Sequence, residues 1–95
     1  MRIVLKLNTA IDRIIEAPDS DDVDAIMRML IDELIDASIM GMELRLFLRC
    51  LNDELKKRII IAADYLEINN IRKAMEFTEH INKVFEINAF QHELN

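Results

Sequence analysis

Ninety-five residues, a net charge of -6, 52% apolar side chains and single copies of glycine, proline and cysteine set narrow bounds on this chain. The length suits one small domain, and one cysteine excludes an internal disulfide. An all-β fold needs turn residues about every 8–12 positions, which one Gly and one Pro cannot supply, and the acidic balance argues against a general nucleic-acid or anionic-membrane binder. The expectation is an all-α protein: a compact bundle of four helices, or five if one of them breaks.

The start, "RIVLKL", alternates like a strand. Over a longer span, however, Ile3, Leu7, Ala10, Ile14 and Ala17 step by fours and threes, and Arg2, Lys6, Thr9, Arg13 and Glu16 repeat that step on the other side. Two phased stripes predict a helix over residues 2–17. The alternative is a short strand over 2–7, followed by a helix capped at Asn8 or Thr9. Pro18 ends the segment, because the residue before a proline is pushed out of helical geometry. "DSDD" then offers Asp19 or Ser20 as an N-cap and places acid where the helix dipole favours it. A helix over 21–40 follows, apolar at Val23, Ile26, Met27, Leu30, Ile31, Leu34, Ile35 and Ser38. Gly41 is expected to close it in the left-handed conformation.

The stretch "IMGMELRLFLRCLND" can be read as a strand or as a helix. Leu44, Leu48, Leu51, Leu55, Ile59, Ala62 and Leu66 hold helical phase through it. Opposite charges at Arg49–Asp53, Asp53–Lys57 and Glu54–Arg58 have the four-residue spacing of helical pairs. A helix over 42–68 is predicted, with a possible break at Asn52–Asp53, since Asn caps helices well. "INNIR" is then the next corner. The last helix covers 70–88, with Ile71, Ala74, Met75, Thr78, Ile81 and Phe85 inward, and 89–95 forms a frayed tail. The last two helices are expected to form an antiparallel hairpin.

Within that hairpin, "IAADYLEINNIRKAMEFTEHI" resembles a single tetratricopeptide-type unit. Ala62, Tyr65 and Ala74 fall where that motif places a small residue, an aromatic and a small residue. Thr78 and Ile81 replace its later aromatic and small residue, its closing proline is missing, and no second copy follows. Repeat arrays need about three units to stack, so the resemblance implies helix-on-helix packing rather than an array.

Much chemistry is excluded. Without GxGxxG, a Walker-type loop or GxSxG, the nucleotide-binding and serine-hydrolase routes are closed, and no cofactor is expected. "PDSDDVD" lacks the glycine and the final Glu of a calcium loop. Glu76 and His80 could form half a metal site, and Asp12/Glu16 and Asp32/Asp36 are paired carboxylates, but all lie on polar helix faces beside neutralising charge. No metal site and no enzyme activity are expected. "KKR" at 56–58 is diluted by acid, so direct nucleic-acid binding is not expected either.

What remains is apolar surface. Leu46, Phe47 and Cys50 are expected outside the main stripe of their helix, which must then be covered on a second side. With Met40 and Met42 beside them, these five residues are the candidate interface of a protein-binding module: an adaptor, chaperone-like cap or inhibitor, expected as a homodimer. One rival is an acidic decoy using Asp21, Asp22, Asp24, Asp32 and Asp36 as phosphate mimics. Another is a small enzyme with a carboxylate/His site. "MRIVLKLNTAIDR" is interrupted by charge as signal peptides are not, and no apolar run reaches the roughly 18 residues of a membrane span, so a cytoplasmic location is expected.

Overall fold

A computed structural model describes the backbone of residues 2–94 and the side chains of residues 6–86. Over the described residues the chain forms four α-helices and no strand: α1 (Arg2–Glu16), α2 (Asp22–Asp36), α3 (Met42–Ile60) and α4 (Tyr65–Leu94). One apolar cluster joins them. Ala10, Ile14 and Ala17 come from the first helix and its end, Val23, Met27, Leu30 and Leu34 from α2, and Leu44, Phe47, Leu48, Leu51 and Leu55 from α3. Ile71 and Ala74 of α4 complete it. Burying each Leu, Ile, Val, Met or Phe stabilises the fold by about 1.5–3 kcal/mol. The stripes at threes and fours therefore select the helical reading over the strand at both ambiguous stretches. α4 touches all three other helices, most extensively α3. Its 30 residues span about 45 Å at the standard rise, against a longest molecular dimension of 47 Å.

The boundaries differ from expectation in instructive ways. α3 ends at Ile60, not near residue 68, and α4 begins at Tyr65. The long helix is therefore the last one. Asp64 explains the shift: its Oδ1 accepts the Glu67 amide at 2.8 Å, an N-cap bond, and Glu67 Oε2 accepts the Ala63 amide at 2.7 Å. Asp-x-x-Glu is the sequence signature of a capping box, although here the glutamate reaches one residue past the cap, to Ala63. Asn69 and Asn70 make no corner, and the tetratricopeptide-type turn is displaced with them. Ala62 lies in the connection, and Tyr65 stands 84% exposed instead of packing at a helix crossing. The last helix extends to Leu94, past the expected end at residue 88, and residue 95 of the expected tail lies outside the described residues.

Nor does α3 break at Asn52–Asp53, so the five-helix alternative is not supported. Asn52 is buried inside the helix and donates to Thr78 Oγ1 at 2.6 Å and to the Met75 carbonyl at 3.3 Å on α4. Thr78 in turn donates to the Met75 carbonyl at 2.8 Å. Asn70 plays a similar part. Pro18 offers no amide to close the end of α1, and the fully buried Asn70 donates to the Ala17 carbonyl at 3.0 Å and the Ile15 carbonyl at 3.5 Å. Both asparagines look like punctuation in the sequence and act as cross-ties in the fold.

The end of α2 is closed without glycine. Ser38 takes the left-handed position at φ 65°. The Ile39 amide reaches the Leu34 carbonyl at 2.8 Å and the Ser38 amide reaches that of Ile35 at 2.9 Å, which is a Schellman closure. Gly41 has φ 62° as expected, but it leads into α3 with ψ -127°, a conformation open essentially to glycine alone. At the start of α2 neither Asp19 nor Ser20 is the N-cap: that position falls to Asp21, which makes no side-chain capping bond, while Asp19 Oδ1 accepts the Asp21 amide at 3.1 Å in the turn before it.

Candidate functional site

α3 decides which of the candidate interface residues are available. On a helical wheel Phe47 sits about 60° from Leu44, inside the arc that also holds Leu48, Leu51 and Leu55. It belongs to the main stripe, at three residues from Leu44 and four from Leu51. Accordingly Phe47 is only 1% exposed, a core residue and not a surface one. α3 is packed by α1 as well as by α4. Cys50 is half-buried, and its thiol is free. Met40, Met42 and Leu46 do lie outside, at 57%, 83% and 58% exposure.

Met42 and Leu46 share the outward face with Arg45 and Arg49, and the four side chains, with Glu43, line a shallow groove of about 340 Å³. Both arginines reach Glu86, at 3.3 Å from Arg45 and 3.9 Å from Arg49. A second groove of about 540 Å³ continues along the α3–α4 seam, lined by Arg49, Asp53, Lys56, Glu79, Asn82 and Lys83 among others. Opposite charges alternate along it. It therefore lacks the single-sign field that concentrates a charged ligand.

The larger apolar display is at the other end of α3, and the sequence reading did not find it. Ile60, Ile61 and Tyr65 are 83%, 67% and 84% exposed, and Leu66, which the helical stripe places inward, is 45% exposed. The reason lies in what turns inward at this corner. Glu67 is buried; its Oε1 receives Arg58 Nε at 2.8 Å and Nη2 at 2.6 Å, while Oε2 holds the Ala63 amide. The Ala63 amide, then Arg58, hold the Glu67 carboxyl below the usual carboxylate range against the opposing effect of burial. The inner side of the turn is thus occupied by a polar knot, and the apolar side chains face out. A signal was present: Asp64-x-x-Glu67 places the helix start, and with it the outward phase of Tyr65 and Leu66.

The acidic candidates stay on the surface. Asp21, Asp22, Asp32 and Asp36 are exposed along α2, while Asp24 is half-buried 3.9 Å from Lys73 of α4. Ion pairing is mostly between helices. Arg13 meets Glu33 at 3.0 Å, and Arg49 and Arg58 turn to α4 instead of forming the expected four-residue pairs within α3. Within α3, Lys57 pairs with Glu54 at 3.3 Å. Glu76 and His80 are both exposed, and among the described residues no three His, Cys, Asp or Glu side chains gather as a metal site requires. No described helix is long and apolar enough to cross a membrane. In comparisons with family models, characterised proteins and solved structures, nothing matches this chain.

Proposed function

We propose that this chain is a small non-enzymatic protein-interaction module, an adaptor, chaperone-like cap or inhibitor, working through the apolar corner at Ile60, Ile61, Tyr65 and Leu66. The observation that carries this reading is the exposure of these four side chains on a turn tied down by Asp64, Glu67 and Arg58. Exposed apolar groups gain from leaving water only when another surface covers them, and tyrosine is among the residues that dominate such contacts. Arg58 with Glu67, Asn52 with Thr78, and Arg45 with Glu86 pair α3 and α4 in opposite sequence directions. From these pairs we infer an antiparallel hairpin whose closed end presents the patch. The single cysteine suits a reducing compartment such as the cytoplasm.

A photo-crosslinking residue placed at Tyr65, and as a control at Asp32, tests this in cells that carry the protein. Discrete adducts from position 65, and far weaker ones from position 32, support the reading. Equal yields from both positions defeat it. Asp21, Asp22, Asp32 and Asp36, exposed together on α2, favour a second reading as a phosphate-mimicking inhibitor of a nucleic-acid-handling protein. Binding of that kind weakens steeply with added salt, whereas an apolar contact holds.

A further inference from the structure

Along the outer side of α3, Met42, Leu46, Arg49, Asp53, Lys56 and Ile60 follow one another at alternating steps of four and three. At about 100° per residue these six fall within an arc of about 80°. All are exposed, Met42 and Ile60 at 83% each. The buried Leu44, Leu48, Leu51 and Leu55 take the opposite side of the helix. Alternating fours and threes are the 3.5-residue repeat by which one helix offers a seam to another, and this one runs about 27 Å. We infer that the stripe is a docking seam for a helix of another protein, one that presents apolar, acidic, basic, acidic and apolar residues in turn. It lies apart from the corner at Tyr65 and Leu66, sharing only Ile60 with it.

Charge order is the argument for that occupant. The seam is apolar at both ends and reads basic, acidic, basic between them, at Arg49, Asp53 and Lys56. Arg49 lines both the groove beside Met42 and Leu46 and the groove beside Asp53 and Lys56, so the two are continuous. α4 repeats the order. In the antiparallel register set by Arg45–Glu86 and Asn52–Thr78, Lys83 lies within about 3 Å of Arg49 along the axis, and Glu79 within about 3 Å of Asp53. Like charges therefore share a level, and pairing across the seam is blocked.

Among the described residues, Asp53, Lys56, Glu79 and Lys83 form no ion pair, although Arg49–Asp53 and Glu79–Lys83 have the spacing that allows one. An acid set against Arg49 and Lys83, a base against Asp53 and Glu79, and an acid against Lys56 give each of these charges a partner. A second copy of α3 does the reverse. Basic, acidic, basic reads the same in both directions, so α3 laid on its counterpart, parallel or antiparallel, sets like charge against like. The seam selects a foreign helix.

The test is an amide NMR titration of the full chain with two synthetic helices of about 25 residues, long enough to hold helical structure. The first carries Leu, Leu, Glu, Lys, Glu, Leu and Leu at alternating steps of four and three. The control exchanges Glu and Lys. Because the chain carries -6, net charge alone favours the control, whose pattern is the more basic. The expected result is binding of the first helix below about 1 mM, with shifts along residues 42–60 and 79–86, and binding of the control about tenfold or more weaker. Reversing four charges together, with Arg49→Glu, Asp53→Lys, Glu79→Lys and Lys83→Glu, keeps the net charge and inverts the preference, with circular dichroism unchanged. Tyr65→Lys leaves it as it was. No binding, equal binding of both helices, or a preference for the control overturns the inference. So does a self-associating chain that Met42→Lys returns to monomer. None of these outcomes touches the corner, whose own test is the crosslink from position 65.

Discussion

The two corners that flank α3 are closed by different means. At residues 37–41 the backbone does the work: a Schellman closure at Ser38, then Gly41 in a conformation reserved for glycine, with Ile39 half-buried against the core. At residues 61–64 side chains do it: Asp64 caps α4, and Glu67, held by Arg58 and the Ala63 amide, fills the inside of the turn. In the first case an apolar residue of the loop goes inward. In the second, a buried carboxylate takes that place, and Ile60, Ile61 and Tyr65 remain outside. The means of closing a turn thus decides which face its apolar residues show.

Substitutions can break each corner by its own route. The largest loss is expected from Gly41→Ala. A Cβ there meets nothing within 4 Å, so the penalty is purely conformational, about 1–3 kcal/mol in chemical denaturation for a residue held in a glycine-only region. If the loss is negligible, the backbone account of the first corner is wrong. Asp64→Ala removes the cap of α4 and should cost about 1 kcal/mol, with amide exchange accelerating first around residues 63–68. A Ser38→Gly change should stabilise the protein by a few tenths of a kcal/mol, because relief of left-handed strain outweighs the entropy glycine loses on folding.

The two corners should also separate in acid. The Glu67 carboxyl titrates below its ordinary value in the folded chain. Its contribution is therefore fully present above the unfolded-state pKa and is lost as pH falls through the lower, folded value. Melting followed across this range should show wild type losing more stability than Glu67→Gln, and exchange should rise at 61–67 before 37–41. Equal acid sensitivity of both proteins would remove the carboxylate from the account.

Much of the fold was legible because it rests on periodicity. Leu44, Leu48, Leu51 and Leu55 are fully or nearly buried, as are Val23, Met27, Leu30 and Leu34, in the phase their spacing dictates. Phe47 lies inside the same buried arc once the stripe is taken at its full width. The position of the last corner was less legible, because Asn69–Asn70 is the stronger local turn signal and Asp64-x-x-Glu67 the weaker one. Nothing local distinguishes an asparagine that caps a helix from one that ties two helices together.

Composition, the stripes of threes and fours, and Pro18 determined that this chain is all-helical with one apolar core, since those features act through local geometry and burial. Only the tertiary structure decided what Asn52 and Asn70 bond to, which corner holds a buried carboxylate, and which apolar residues stay in water. Those outcomes depend on partners 9 to 55 residues away along the chain, and a hydrogen bond or ion pair forms only where packing brings its two halves together.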